Sequence, residues 1–159
     1  MDYKISVGDA IPQFTAKDQE GFEITTEDLY GSPILLYFYP KDGTPGCTAQ
    51  ACAYRDSKVR LDAHDIIVMG VSSDGKDSHQ KFMQNYQLDF TLLTDENFTI
   101  SKKFDVYREK KTGKEQKPEI ERTAFLIDRD GIIQWLERPV IQEGHVERVL
   151  EAIKKHNAL

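Results

Sequence analysis

Two cysteines, Cys47 and Cys52, are all that 159 residues provide, too few for a disulfide framework to hold the fold together. No apolar run approaches the ~20 residues that a membrane-spanning helix needs, so no membrane association is expected. No block of basic residues occurs either: 21 Lys and Arg against 27 Asp and Glu leave a net charge of −6, which argues against nucleic acid as a main partner. The opening MDYKISVGDAIPQF lacks the basic-then-apolar order of a secretory leader, and a cytoplasmic location is expected. His64, His79, His145 and His156 form no ligand-spaced pair, and C-x₄-C offers only two ligands, so no metal or other cofactor is expected. Internal repeats and low-complexity tracts are also lacking.

What is present fits a globular chain. Hydrophobic residues make up 39% and charged residues 30%, and the length suits one domain over residues 1–159 with a core that needs no staples. Residues 1–12 read as a lead-in. Phe14 to Ala16 and Phe22 to Thr25 flank a turn at Asp18–Gly21 and predict a short hairpin. A brief turn to Leu29 precedes an apolar strand, Ile34 to Tyr39. A helix is predicted from Pro45 to about Ala63, with core-facing positions among Val59, Leu61 and Ala63. A second buried strand spans 66–71, and an amphipathic helix spans 76–86 with Phe82, Met83 and Tyr86 on one side. A short strand at Phe90 to Leu93 and a helix from Glu96 to Phe104 follow. Residues 107–119 read as a charged, solvated loop. A hairpin over Thr123–Asp128 and Ile132–Glu137 and a helix over Glu143–Lys155 close the chain. This is an α/β order.

The stretch Tyr37 to Asp56, YFYPKDGTPGCTAQACAYRD, holds both cysteines. Pro40, Asp42, Gly43 and Pro45 force a turn after the strand. Thr44 is a good N-cap and Pro45 suits the first helical position, where its missing N–H would be unpaired anyway. Cys47 then falls in the first helical turn, where free backbone N–H groups and the positive end of the helix dipole favour thiolate over thiol. A capping box would put Glu or Gln where Cys47 stands, so the Thr44 hydroxyl is expected beside the sulfur. On an unbroken helix the Cα atoms of Cys47 and Cys52 lie about 8–9 Å apart, beyond the ~7 Å that a disulfide tolerates. If the two sulfurs pair, the helix must first unwind locally.

The string P-x-x-x-T-x-x-C, here Pro40, Thr44 and Cys47, resembles the peroxiredoxin active-site motif, and PKDGTPGCTAQAC resembles the branch named after bacterioferritin comigratory protein, or peroxiredoxin Q. The likeness extends from VGDAIPQFTAKDQEG to ERTAFLIDRDGII, where the family's active-site arginine falls on Arg122. It implies a thioredoxin-like fold, a central mixed sheet flanked by helices, with an N-terminal β-hairpin extension. It also implies a thiol peroxidase in which Cys47 attacks hydrogen peroxide or an organic hydroperoxide and becomes a sulfenic acid. Cys52 resolves this as an intramolecular disulfide, Thr44 and Pro40 shape the site, and Arg122 stabilises charge. A thioredoxin-like dithiol is the implied electron donor, and the chain is expected to act as a monomer in antioxidant defence. Two departures stand out: Gln50 where many members carry Glu, and KPEIE before Arg122 in place of a Met-Gly-rich stretch. A general thiol–disulfide oxidoreductase, or a redox sensor or holdase without turnover, remain the alternatives. The first is weakened because C-x₄-C is not C-x-x-C.

Overall fold

The structure is a computed structural model that describes residues 4–156; the first three residues of the lead-in lie outside it. In chain order the elements are β1 (Thr15–Lys17), β2 (Glu23–Thr25), α1 (Thr26–Leu29), β3 (Ile34–Phe38), α2 (Pro45–Asp56), α3 (Lys58–Asp62), β4 (Ile67–Ser72) and α4 (Lys76–Tyr86). Then come β5 (Thr91–Thr94), α5 (Thr99–Lys103), β6 (Tyr107–Thr112), β7 (Glu115–Ile120), β8 (Thr123–Ile127), β9 (Ile133–Glu137) and α6 (His145–Lys155).

Every residue of β3 is buried, because the strand runs inside a seven-stranded sheet ordered β2-β1-β5-β4-β3-β8-β9. It pairs in parallel with β4 and antiparallel with β8, and both faces of the sheet are covered. The two-residue period of a strand divides its side chains between two cores. Leu35 and Tyr37 join Ala51 and Tyr54 of α2, Phe82 of α4 and Val149, Leu150 and Ile153 of α6. Ile34, Leu36 and Phe38 join Leu29, Ile100, Phe104 and Phe125 on the opposite face. The expected N-terminal hairpin forms as β1 and β2 and extends the sheet by pairing β1 with β5. Gly70 allows the closest approach in the core: a Cβ there would meet the Tyr37 ring at 2.8 Å and Leu92 at 2.9 Å.

Three elements differ from expectation, each for a local reason. The helix predicted to reach Ala63 breaks at Ser57, whose backbone (φ −100°, ψ 10°) leaves the helical region; serine offers the backbone competing hydrogen bonds. After the break Leu61 turns into the core and Val59 stays 84% exposed. The helix predicted from Glu96 starts only at Thr99, because Phe98 takes a left-handed conformation and the Asp95 carboxylate accepts the N–H groups of Ile100 and Ser101. The charged stretch 107–119 is an ordered two-stranded hairpin, β6 with β7, turning at Gly113 (φ +66°). Glycine at the first central position suits a two-residue hairpin turn. Pro118 is accommodated because this ribbon has free edges. No helix among the described residues is long and apolar enough to cross a membrane.

Candidate active site

The carboxyl end of β3 delivers the chain into the loop 39–44, which is pinned from several sides. Tyr39 is fully buried, stacks on Tyr37 with ring centroids 5.3 Å apart, and donates its hydroxyl proton to Asp42 Oδ1 at 2.5 Å. The Asp42 amide donates to Asp74 Oδ2 at 2.7 Å. Asp42 Oδ2 accepts from Ser78 Oγ at 2.9 Å and contacts Nδ1 of buried His79 at 2.6 Å, while His79 Nε2 lies 3.1 Å from the Leu93 carbonyl. Asp42 thus ties buried Tyr39 of the loop to half-buried Ser78 and buried His79 of α4. Asp42→Ala leaves them without this acceptor and is expected to cost on the order of 3–5 kcal/mol. A drop in the urea midpoint at unchanged slope measures this; a loss below about 1 kcal/mol would contradict the role of Asp42 as the loop's anchor.

The loop ends at Thr44, the N-cap of α2, with Pro45 at N1. Cys47 therefore sits in the first turn, as the sequence predicts. The Thr44 hydroxyl differs from expectation: it donates to the Lys41 carbonyl at 3.2 Å, and no side chain caps the helix. Cys47 is only 1% exposed and Cys52 is half-buried; both are free thiols on one continuous helix.

Arg122 reaches this sulfur from 75 residues away. It directly precedes β8, whose first residue Thr123 is paired with Phe38, the last of β3. That register sets Arg122 beside the strand end from which the loop departs, and a hydrogen bond from the Val140 amide to the Arg122 carbonyl (2.8 Å) fixes its backbone. Its guanidinium forks: Nη2 donates to Cys47 Sγ at 3.2 Å and Nη1 donates to Gln50 Oε1 at 2.8 Å. Gly46 makes room for the fork, since a Cβ there would stand 3.1 Å from Nη2. A nearly dry sulfur facing a fixed guanidinium can carry negative charge and can stabilise charge that develops beside it.

Comparison with known proteins follows the same line. The AhpC/TSA family model matches residues 7–136. A putative peroxiredoxin bcp of Coxiella burnetii is 44% identical over 147 residues, spanning 92% of this chain and 97% of its own. The chain belongs to the peroxiredoxins. Its relatives place it in the bacterioferritin comigratory protein, or peroxiredoxin Q, branch: peroxiredoxin Bcp of Bacillus subtilis is 39% identical over 152 residues, spanning 94% of this chain and 96% of its own. Among solved structures, a mutant of Xylella fastidiosa peroxiredoxin Q superposes with a TM-score of 0.90 at 29% identity, over 98% of this chain and 99% of that one. A bacterioferritin comigratory protein of Xanthomonas campestris, described for its alkyl peroxide reduction, gives 0.86 at 30% identity, over 93% and 99%. The activity of this peroxiredoxin is that of a thiol peroxidase.

The structure gathers Cys47, Thr44 and Arg122 around the first turn of α2, with Pro40 at the head of the loop and Cys52 one and a half turns further along. Arg55 is occupied elsewhere, pairing with Asp56 at 2.9 Å and donating to the Tyr86 carbonyl at 2.6 Å, a clamp between α2 and the end of α4. Trp135 stacks against His145 at 6.3 Å, a packing role. Sequence reasoning noted Gln50 only as a departure and did not single out Asp42 or His79 for the site. The sole available signal for Asp42 was its place inside the motif.

Proposed function

We propose that this peroxiredoxin, as a single domain, reduces hydrogen peroxide and organic hydroperoxides through Cys47. The thiolate attacks the terminal peroxide oxygen; an S–O bond forms as the O–O bond breaks, and the departing oxygen takes a proton and leaves as water or an alcohol. Arg122 holds the negative sulfur and then the charge on the oxygens. Thr44 exchanges its 3.2 Å bond to Lys41 for the incoming substrate, and Pro40 shapes the loop around it. The observation that carries this reading is the Arg122–Cys47 contact at 3.2 Å in the first turn of α2.

Cys52 then condenses with the Cys47 sulfenic acid, releasing water. Both residues sit on one helix, so α2 must open and release the Arg55 clamp to Tyr86 before the sulfurs meet. A thioredoxin-like dithiol reduces the resulting disulfide by exchange. The protein acts as a cytoplasmic monomer in antioxidant defence and uses no metal, haem or flavin.

Cys52→Ser separates the two half-reactions. Its first oxidation by peroxide is expected at the wild-type rate, while steady turnover with thioredoxin and thioredoxin reductase falls by about two orders of magnitude or more. Undiminished turnover would remove Cys52 from the cycle.

A further inference from the structure

Gln50 does not end at Arg122. Its Nε2 donates to the Tyr54 hydroxyl at 2.8 Å, and that hydroxyl lies 2.7 Å from His145 Nε2. His145 Nδ1 lies 2.8 Å from Glu137 Oε2. Gln50, Tyr54 and His145 are all essentially out of water. A single buried chain of hydrogen bonds thus links the reactive sulfur to the outer edge of β9: Cys47, Arg122, Gln50, Tyr54, His145, Glu137.

The direction of every link follows from chemistry. A carboxylate only accepts, so His145 Nδ1 carries the hydrogen. Burial lowers the affinity of His145 for a second proton, and Arg148 adds to this, against an opposing pull from Glu137. Burial pushes Glu137 up, but its bonds to Arg148, the nearby His145 and the Ile141 amide outweigh this and hold the carboxyl below its usual range. Burial keeps the Tyr54 phenol protonated. With His145 neutral, Nε2 accepts the Tyr54 proton, the phenol oxygen accepts from the Gln50 amide nitrogen, and the Gln50 oxygen faces Arg122. All donors then point the same way, from the Arg122 cation to the Glu137 anion, an arrangement in which each bond polarises the next.

We propose that Tyr54, His145 and Glu137 are positioning residues for the peroxidase reaction: neutral His145 fixes the Gln50 amide, so that its oxygen holds Arg122 on Cys47, and a proton on His145 slackens that hold. The proposal rests on the peroxidase reading above. With a proton on Nε2, two donors face each other across 2.7 Å. Either the phenol proton is left without an acceptor, or it turns to Gln50 and forces the amide to present its NH₂ to the guanidinium. The groups facing His145 are Tyr54 from α2, Glu137 and the Trp135 ring from β9, and Arg148 from its own helix; of these only the Tyr54 oxygen lies against Nε2, and it accepts a hydrogen from Nε2 only if its own proton turns away. Gln50 sets the sense of the relay. A carboxylate there would accept from both neighbours, turn the Tyr54 proton round, and favour the doubly protonated His145.

Two measurements test this. Side-chain ¹⁵N spectra of the reduced protein, with the His145 signals identified by their loss in His145→Gln, are expected to show the neutral Nδ1–H tautomer at neutral pH, the minor form of free imidazole. In Gln50→Glu the same ring is expected to be doubly protonated. Stopped-flow oxidation by hydrogen peroxide is then run from about pH 5 to pH 8, spanning the histidine range, on wild type and Tyr54→Phe. Near neutrality wild type is expected to be roughly three- to tenfold faster, the worth of one net hydrogen bond. The ratio is expected to fall towards unity as acid protonates His145. A neutral Nε2–H tautomer, or a ratio constant across the range, would overturn the relay. Wild type that fails to react at any pH would instead overturn the peroxidase reading itself.

Discussion

Cys47→Ser is expected to slow oxidation by hydrogen peroxide by about four orders of magnitude or more. The replacement keeps the shape of a side chain that is 1% exposed, so the fold should stand and the loss reports chemistry alone. A serine hydroxyl needs a base to become a nucleophile. The side chain that hydrogen-bonds this position is Arg122, a cation that only donates. A rate within tenfold of the parent would mean that oxidation begins at another residue.

Arg122→Met is expected to reduce the same rate by about 10²–10³-fold, the usual effect of removing a fixed donor from a site where charge develops. The mutation deletes both arms of the fork, to Cys47 Sγ at 3.2 Å and to Gln50 Oε1 at 2.8 Å. Lysine is not an adequate replacement. It offers a point charge rather than a planar fork and cannot hold both partners in one geometry. Arg122→Lys should therefore recover only part of the rate. Full recovery would show that charge alone matters, and that the fork to Gln50 contributes nothing.

Much of this site was legible in the sequence because it is local. Thr44, Pro45 and Cys47 are neighbours in one turn, and rules for helix starts place them. Gln50 and Tyr54 stand four apart on α2, so their contact follows from helix geometry. His145 is different. It lies 91 residues from Tyr54, and only the packing of α6 across α2 brings them together; nothing in the local sequence marks that pairing. Thr44 is the N-cap residue that the sequence predicts, but its side chain does not cap the helix, because the capping rules do not see the Lys41 carbonyl that takes its proton.

The fold shows the same division. Strands buried on both faces, such as β3, announce themselves as apolar runs, and the alternation between two cores follows from the strand period. The β6–β7 hairpin was hidden because β7 buries only Ile120, so no hydrophobic alternation marks it. Opposed pairs such as Arg108 with Glu119 leave no signal in a composition rich in both charges. The break at Ser57 was missed because one serine weakens a helix without forbidding it, and burial of Leu61 decides the outcome.

The central claim is that Cys47 is oxidised first and that Cys52 resolves it within the same chain. Intact mass after one equivalent of hydrogen peroxide, followed by peptide mapping under non-reducing conditions, tests it directly. Wild type should lose two hydrogens and yield one Cys47–Cys52 disulfide at a yield independent of protein concentration; Cys52→Ser should gain one oxygen at Cys47, and Cys47→Ser should stay unchanged. Oxygen retained on wild type, or a disulfide joining two chains, would contradict the account.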